Sequence, residues 1–253
     1  MNYPVQRISL IGFGNVGAHL YRAFCAAGIE VSHVLLRKAQ QLNQGTTSAR
    51  TIDELPENQL VLLCVPDDAI EGLIHQLGSR PIAYTSGSVV LDQLPMNENL
   101  GVFYPLQTFS AQRAIDISEV PFFIEARNEA FGLGLFHLAR KLSATVAFAD
   151  STRRKDIHLA AVWINNFTNH MVYRAQDFAL RNAIDPEIFQ PLLKETVFKL
   201  AELSAKDAQT GPARRGDLSV IEQHKMALSG TEKDLYALIS KSILQTYSDD
   251  EQL

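Results

Sequence analysis

Two rhythms of apolar residues run along this chain, and one gives way to the other near residue 150. In the first half, short unbroken apolar runs alternate with stretches of helical periodicity. "RISLIGFG" predicts a buried strand ending in glycines, and "NVGAHLYRAFCAAG" a helix closed by Gly28. "EVSHVLLR" and "LVLLCVP" are strands, and "DDAIEGLIHQLG" is a helix with acids in its first turn and glycine at its end. "PIAYTSGS", "GVFYPLQTF", "VPFFIEA" and "ATVAFAD" add strands, with the helix "EAFGLGLFHLARKL" before the last. Strands alternating with helices imply a mostly parallel sheet covered on both faces.

Beyond Asp150 the strands stop. "STRRKDIHLAAVWINNFTNHMVYRAQDFALRN" has helical periodicity throughout. "DPEIFQPLLKETVFKLAELSAK" predicts a helix with Asp185 as N-cap, Pro186 in its first turn and a bend at Pro191. The loop "DAQTGPARRGD" leads into "LSVIEQHKMAL", which Asp217 can cap. Thr231 is the expected cap of the last helix, with Asp234 three residues on. The expected fold class is therefore α/β: a Rossmann-like doubly wound parallel sheet over residues 1–150, followed by an all-helical domain over 151–253 that serves substrate binding and dimerisation.

Composition narrows the function. The chain has 253 residues, 46% of them hydrophobic and 20% charged, as in a soluble globular protein. A net charge of −5 gives no global footprint for nucleic acid. Arg153-Arg154-Lys155 and Arg214-Arg215 are local basic clusters that read either as solvated surface or as parts of a site. No signal peptide and no membrane span are expected, and the two cysteines, Cys25 and Cys64, read as small core hydrophobes of a reduced cytoplasmic protein. No cluster has metal-ligand spacing, so no metal is expected.

The strongest motif is "IGFGNVG", Gly12-x-Gly14-x-x-Gly17, placed between a buried strand and a helix. Gly12 makes the tight turn, Gly14 admits a pyrophosphate, and Gly17 lets helix and strand pack closely. Phe13, Asn15 and Val16 complete the cofactor turn, where the helix N-terminus offers N–H groups to phosphate. At the end of the second strand, Arg37 and Lys38 stand where an acid would bind the 2′-hydroxyl of NAD. Cations there suit a 2′-phosphate, so NADP is preferred to NAD. Val65 and Pro66, beyond the carboxyl end of a core strand, should border the cofactor, and Ser86 is either a contact to nicotinamide or substrate or a helix-capping serine.

"LIGFGNVGAHL", "TSGSVVLDQL", "YPLQTFS", "DIHLAAVWINNF" and "GPARRGD" together resemble one known group across nearly the whole chain. These proteins join a Rossmann-like domain to a C-terminal helical domain of unknown function and are called NADP oxidoreductases by similarity to the deazaflavin-dependent NADP reductases. The wider superfamily resembled includes pyrroline-5-carboxylate reductase, 6-phosphogluconate dehydrogenase, ketopantoate reductase and the β-hydroxyacid dehydrogenases. The resemblance implies a substrate site between the domains, often completed by a dimer partner. Many relatives carry His where Tyr104 stands here. The β-hydroxyacid dehydrogenases use a Lys with an Asn four residues later, but Lys155 is followed at that spacing by Leu159, so that pair is absent.

"IHLAAVWINNFTNHMVY", Ile157–Tyr173, has no charged residue yet holds three Asn and two His. On a regular helix at about 100° per residue, His158, Val162, Asn166, Asn169, Tyr173 and Gln176 fall within about 60° of Lys155, with Asn165 at the edge. Ala160, Ile164, Phe167, Met171 and Phe178 form the opposite face, expected in the helical core. Uncharged amides left unpaired in a buried site cost about 1–3 kcal/mol each, so they are kept where they find partners. The stripe should face the interdomain cleft, or its amides should bond a partner helix in a dimer.

The expected activity is hydride transfer between NADP(H) and a small carbonyl, imine or deazaflavin substrate at that cleft. Lys155 and His158 are the candidate proton donors, Lys155 first because burial beside Arg154 would bring its ammonium toward neutrality. Asn166 is a candidate donor to the substrate, and Tyr104, Gln107, Asn165 and Arg215 are candidate substrate contacts. The expected partners are a small-molecule substrate and a second copy of the chain through the helical domain, with no nucleic acid and no membrane. The alternative is a catalytically silent, dimeric NADP-binding protein that senses redox state.

Overall fold

The structure is a computed structural model that describes residues 7–36 and 40–248. It divides into two compact units, Met1–Phe167 and Thr168–Leu253.

In the first unit, eight strands among the described residues form one sheet of order β3-β2-β1-β4-β5-β6-β7-β8. They are β1 (Arg7–Ile11), β2 (Glu30–Leu35), β3 (Thr47–Ala49), β4 (Leu60–Leu63), β5 (Ile82–Tyr84), β6 (Leu100–Pro105), β7 (Phe122–Ala126) and β8 (Val146–Phe148). All neighbours run parallel except β6 and β7. The apolar runs of β4, β5 and β6 are buried throughout, as both faces of a covered sheet require. The short edge strand β3, in the polar "TTSAR", was not marked by any apolar run.

Helices α1 (Asn15–Ala26), α2 (Asp67–Leu77) and α3 (Glu129–Arg140) make the crossovers. The first two end as expected, with Gly28 and Gly78 in the left-handed region at φ 71° and 63°. Strand order reverses beside β1: α1 leads to β2 on one side, and the chain returns to β4 on the other. A crevice must open at the carboxyl ends of β1 and β4, where the crossovers part.

Helix α4 (Ser151–Ala161) follows β8, with Asp150 as N-cap accepting from the Arg153 N–H at 2.7 Å. It belongs to the sheet-containing unit because Arg154 and Ile157 point into the sheet's core. The unit therefore ends after Phe167, beyond the change of pattern at Asp150.

The uncharged stretch does not form the regular helix expected of it. Val162–Phe167 is a π-helical turn. Its i→i+5 bonding places an extra residue in the turn, so the 100° count does not carry past Ala161. Nor do these residues pack in a core: Trp163, Ile164 and Phe167 are 65%, 77% and 45% exposed.

The second unit holds α5 (Thr168–Arg181), α6 (Gln190–Glu202), α7 (Ala205–Ala208), α8 (Leu218–Met226) and α9 (Gly230–Ser248). Asp185 caps a single 3₁₀ turn, Pro186–Phe189, and Pro191 lies in the first turn of α6. The expected bent helix is thus a 3₁₀ turn joined to an α-helix, which spares Pro191 an interior position. Asp217 caps α8 as expected, 3.2 Å from the Val220 N–H. Thr231 lies inside α9, which starts one residue earlier at Gly230, so it is not the cap. Among the described residues no helix is long and apolar enough to cross a membrane.

Candidate functional site

The glycine turn is built as its spacing demands. Gly12, at φ 95°, occupies the left-handed region, and a Cβ there would overlap the Cys64 carbonyl oxygen at the end of β4. A Cβ at Gly17 would overlap the Gly12 carbonyl oxygen and stand 3.2 Å from Cys64 Cβ. These two glycines hold α1 against β1 and β4. Gly14 differs: nothing lies within 4 Å of a Cβ built on it. It is the N-cap of α1 and supplies no side-chain cap, so the first N–H groups of the helix face outward without an intramolecular side-chain acceptor.

A cavity of about 730 Å³ opens at this point. Gly12, Phe13 and Gly14 line one side, and Val65 and Pro66 the end of β4 opposite. Leu36 and Gln40 line the end of β2, and Ala69, Gly72 and Leu73 of α2 complete the wall. This is the crevice at the strand-order reversal, and its size suits a dinucleotide-scale ligand. Asn15 is exposed at the helix start, and Val16 packs on the core. Arg37 and Lys38 lie outside the described residues.

Cys64 lines the same cavity. Burial pushes its thiol up to about 12, with the Thr85 hydroxyl opposing. A thiol raised from 9.0 by that much has roughly a thousandfold less thiolate at mildly alkaline pH. Iodoacetamide at pH 8 should therefore leave Cys64 nearly unlabelled in the native protein and label it on unfolding. Rapid native labelling, read by mass spectrometry, would contradict this placement.

A second cluster stands at the ends of β5 and β6. Tyr104 of β6 is buried, and its hydroxyl lies 3.0 Å from Nδ1 of His158 on α4. Burial pushes the Tyr104 phenol up, and the Arg154 guanidinium pulls the other way. The phenol therefore carries its proton at neutral pH. Gly87 makes this pair possible. A Cβ there would come within 2.7 Å of Tyr104 Cζ and 2.8 Å of His158 Nδ1. Gly87 is not among the residues of positive φ, so it is glycine for space. One chain step and one hydrogen bond link the two clusters: Pro66 lines the cavity, and the carboxylate of the next residue, Asp67, accepts a hydrogen bond from Ser88, the neighbour of Gly87.

The other candidates fall elsewhere. Ser86, expected at nicotinamide or substrate, is buried, and its hydroxyl accepts from the Ser88 and Val89 N–H groups, each at 3.1 Å. It shapes the turn on which Gly87 sits. Lys155 is exposed, so the expected burial beside Arg154 is absent, and Arg154 is ion-paired with Glu125. Gln107 is exposed and turns its side-chain oxygen to the Thr108 N–H, at 2.9 Å. Asn165 and Asn166 are exposed on the π turn. Arg215 is exposed in the second unit, on a turn where Arg214 stacks 4.1 Å from the Tyr247 ring. Gly87, Tyr84 and Glu125 were missed by sequence reading. The lone Glu in the apolar strand "VPFFIEA" is the one signal that pointed to a buried cation. No group of three or more His, Cys, Asp or Glu among the described residues is placed to hold a metal ion.

Comparison with known proteins fits this geometry. A Bacteroides fragilis protein of solved structure, provisionally named an NADP oxidoreductase, is 36% identical, with 95% of this chain and 98% of that one covered and a TM-score of 0.84. The family described as a domain of unknown function, DUF2520, matches residues 120–243. The chain belongs to this family of Rossmann-like proteins with a DUF2520 C-terminal region. A Thermotoga maritima protein of the same architecture is 21% identical, covering 97% of this chain and all of its own, at TM-score 0.74. An imine reductase from Myxococcus stipitatus in complex with NADP+ is 13% identical, covering 97% and 94%, at TM-score 0.63, and shares the fold alone. No curated protein sequence matches the chain. Within the DUF2520 match fall Glu125, Arg154 and His158, whereas the glycine turn and Tyr104 lie before it.

Proposed function

We propose that this DUF2520 protein is an NADP-dependent reductase of a small carbonyl or imine. The observation that carries the reading is the open position at Gly14, beside an uncapped helix N-terminus and within a cavity of dinucleotide scale. The name of the Bacteroides fragilis relative and the NADP+ held by the imine reductase support the choice of cofactor. Gly12, Gly14 and Gly17 would hold its pyrophosphate, Arg37 and Lys38 its 2′-phosphate, and Val65 and Pro66 would border its nicotinamide side. When bound, NADPH supplies a hydride.

The chain must supply the proton. Tyr104 O–H can donate to the substrate's oxygen or nitrogen, and the phenol oxygen then takes a proton from His158 Nδ1–H. His158 is only half-buried, so its ring exchanges protons with solvent. Lys155, exposed, loses its first place as donor to His158 acting through Tyr104.

The test is direct. The full-length protein should bind NADPH more tightly than NADH, and Arg37→Asp should erase or reverse that preference. NADPH consumption is then followed with 2-methyl-1-pyrroline and with benzaldehyde. Failure to bind either nucleotide would sink the proposal. Binding with no turnover on an extended carbonyl and imine panel would leave the silent redox-sensing protein as the better reading.

The same reading includes a homodimer through the second unit. Helix α6 has no buried residue, and Leu192, Val197, Phe198 and Leu200 on it are exposed. A helix apolar on several sides needs cover that this unit does not give it. Light scattering is expected to give twice the chain mass, and a monomer at micromolar concentration would overturn this.

A further inference from the structure

Arg154 is among the largest fully buried side chains of the described residues, 0% exposed. Sequence reading left its basic triplet open between solvated surface and a site, and it points into the sheet. One guanidinium nitrogen, Nη1, pairs with Glu125 Oε2. The other, Nη2, donates to the Val89 carbonyl and stands 3.5 Å from the Tyr84 hydroxyl, which itself donates to Val89 O at 3.1 Å. Glu125 Oε1 also accepts from the N–H and hydroxyl of Ser151 at 2.9 Å each, at the first residue of α4. Ser151 Oγ in turn accepts from the Leu91 N–H at 3.1 Å.

Register explains why these groups meet. Tyr84, Val102 and Glu125 lie in one row across β5, β6 and β7. Residues in one row share a sheet face, and Tyr104, two residues beyond Val102, shares it too. Arg154 and His158 are four residues apart on α4 and so lie on one face of it. The guanidinium thus joins α4 to the turn 86–89 at a point one helical turn before His158 meets Tyr104 over Gly87.

Burial of this kind is a poor stabilising device. A buried ion pair is often matched or bettered by apolar residues of similar size. Here Nε of Arg154 also lacks a hydrogen-bond partner among the described residues, which adds cost. What the arginine offers and an apolar residue cannot is a planar fork that fixes two elements at once.

We infer that Arg154 is the positioning residue of the Tyr104–His158 pair: its fork, set by Glu125, ties α4 to the Val89 carbonyl and so holds His158 against Tyr104 above Gly87. The inference rests on the reductase reading for its chemical meaning but not for its test.

The test uses the full chain labelled with ¹⁵N-histidine. The ring-nitrogen shifts of His158, assigned by loss of its signal in His158→Gln, report the hydrogen bond at Nδ1, and Tyr104→Phe defines the signature without it. Arg154→Lys keeps a charge for Glu125 without the fork. Arg154→Met with Glu125→Leu replaces the ion pair by apolar volume. Both are expected to melt close to the unaltered protein and to show the Tyr104→Phe signature. If the proposed turnover is found, kcat should fall about 100-fold with NADPH affinity unchanged. A folded variant of either kind that keeps the unaltered His158 signature overturns the inference. If the signature behaves as expected but no substrate is turned over, the positioning role stands and the reductase reading fails.

Discussion

Alanine at Gly14 should abolish NADPH binding while leaving the melting temperature unchanged, whereas alanine at Gly17 should damage both. The contrast follows from what each Cβ would meet. At Gly14 there is nothing within 4 Å, so the folded chain accepts the methyl group. The methyl would stand where the backbone must approach the pyrophosphate, and the loss falls on the ligand alone. At Gly17 the methyl would overlap the Gly12 carbonyl oxygen, a backbone atom that cannot swing aside. Overpacking of this kind costs about 1–3 kcal/mol and forces α1 away from β1. The displaced helix N-terminus should weaken NADPH binding as well, because its N–H groups no longer stand where the phosphates need them. Differential scanning fluorimetry with and without NADPH separates the two cases. If Gly14→Ala binds NADPH like the unaltered protein, the turn is a packing device and the cofactor assignment is wrong.

The glycine turn was legible because its meaning is local. Strand, turn and helix follow within a few residues, and each glycine answers a constraint set by its neighbours. The buried strands β4 and β6 were legible for the same reason, since an unbroken apolar run of that length needs both faces covered. The helix stripe failed because it assumed a uniform turn angle through Val162–Phe167, and nothing in the composition of "VWINNF" announces a π turn. Arg154 was left undecided between surface and site because its partner is 29 residues away, on β7. A basic triplet stays undecided until cross-strand register brings a carboxylate under it. Gly87 was passed over because its neighbours Tyr104 and His158 come from two other elements. The glycine turn is thus written in contiguous sequence, and the Tyr104–His158 pair is written in register and helix placement.

The second large effect is expected at the Tyr104–His158 pair. Tyr104→Phe and His158→Gln should each lower turnover on a confirmed substrate by about 10²–10⁴-fold, the range for loss of a general acid. NADPH affinity should not change, because the glycine turn is built from other residues. The two losses should not multiply. Tyr104 and His158 act through one hydrogen bond of 3.0 Å, so the double variant should be little worse than the poorer single. Gly87→Ala offers a third route to the same end without touching either ring's chemistry. Its methyl would lie 2.7 Å from Tyr104 Cζ and 2.8 Å from His158 Nδ1, and the rings must part to admit it. Turnover should therefore fall to the level of the single variants while Tyr104 and His158 are both present. Lys155→Ala is the control, since that side chain is exposed and should leave turnover intact. If Lys155→Ala is the inactive variant and Tyr104→Phe turns over normally, the proton comes from the face of α4 that this pair does not occupy.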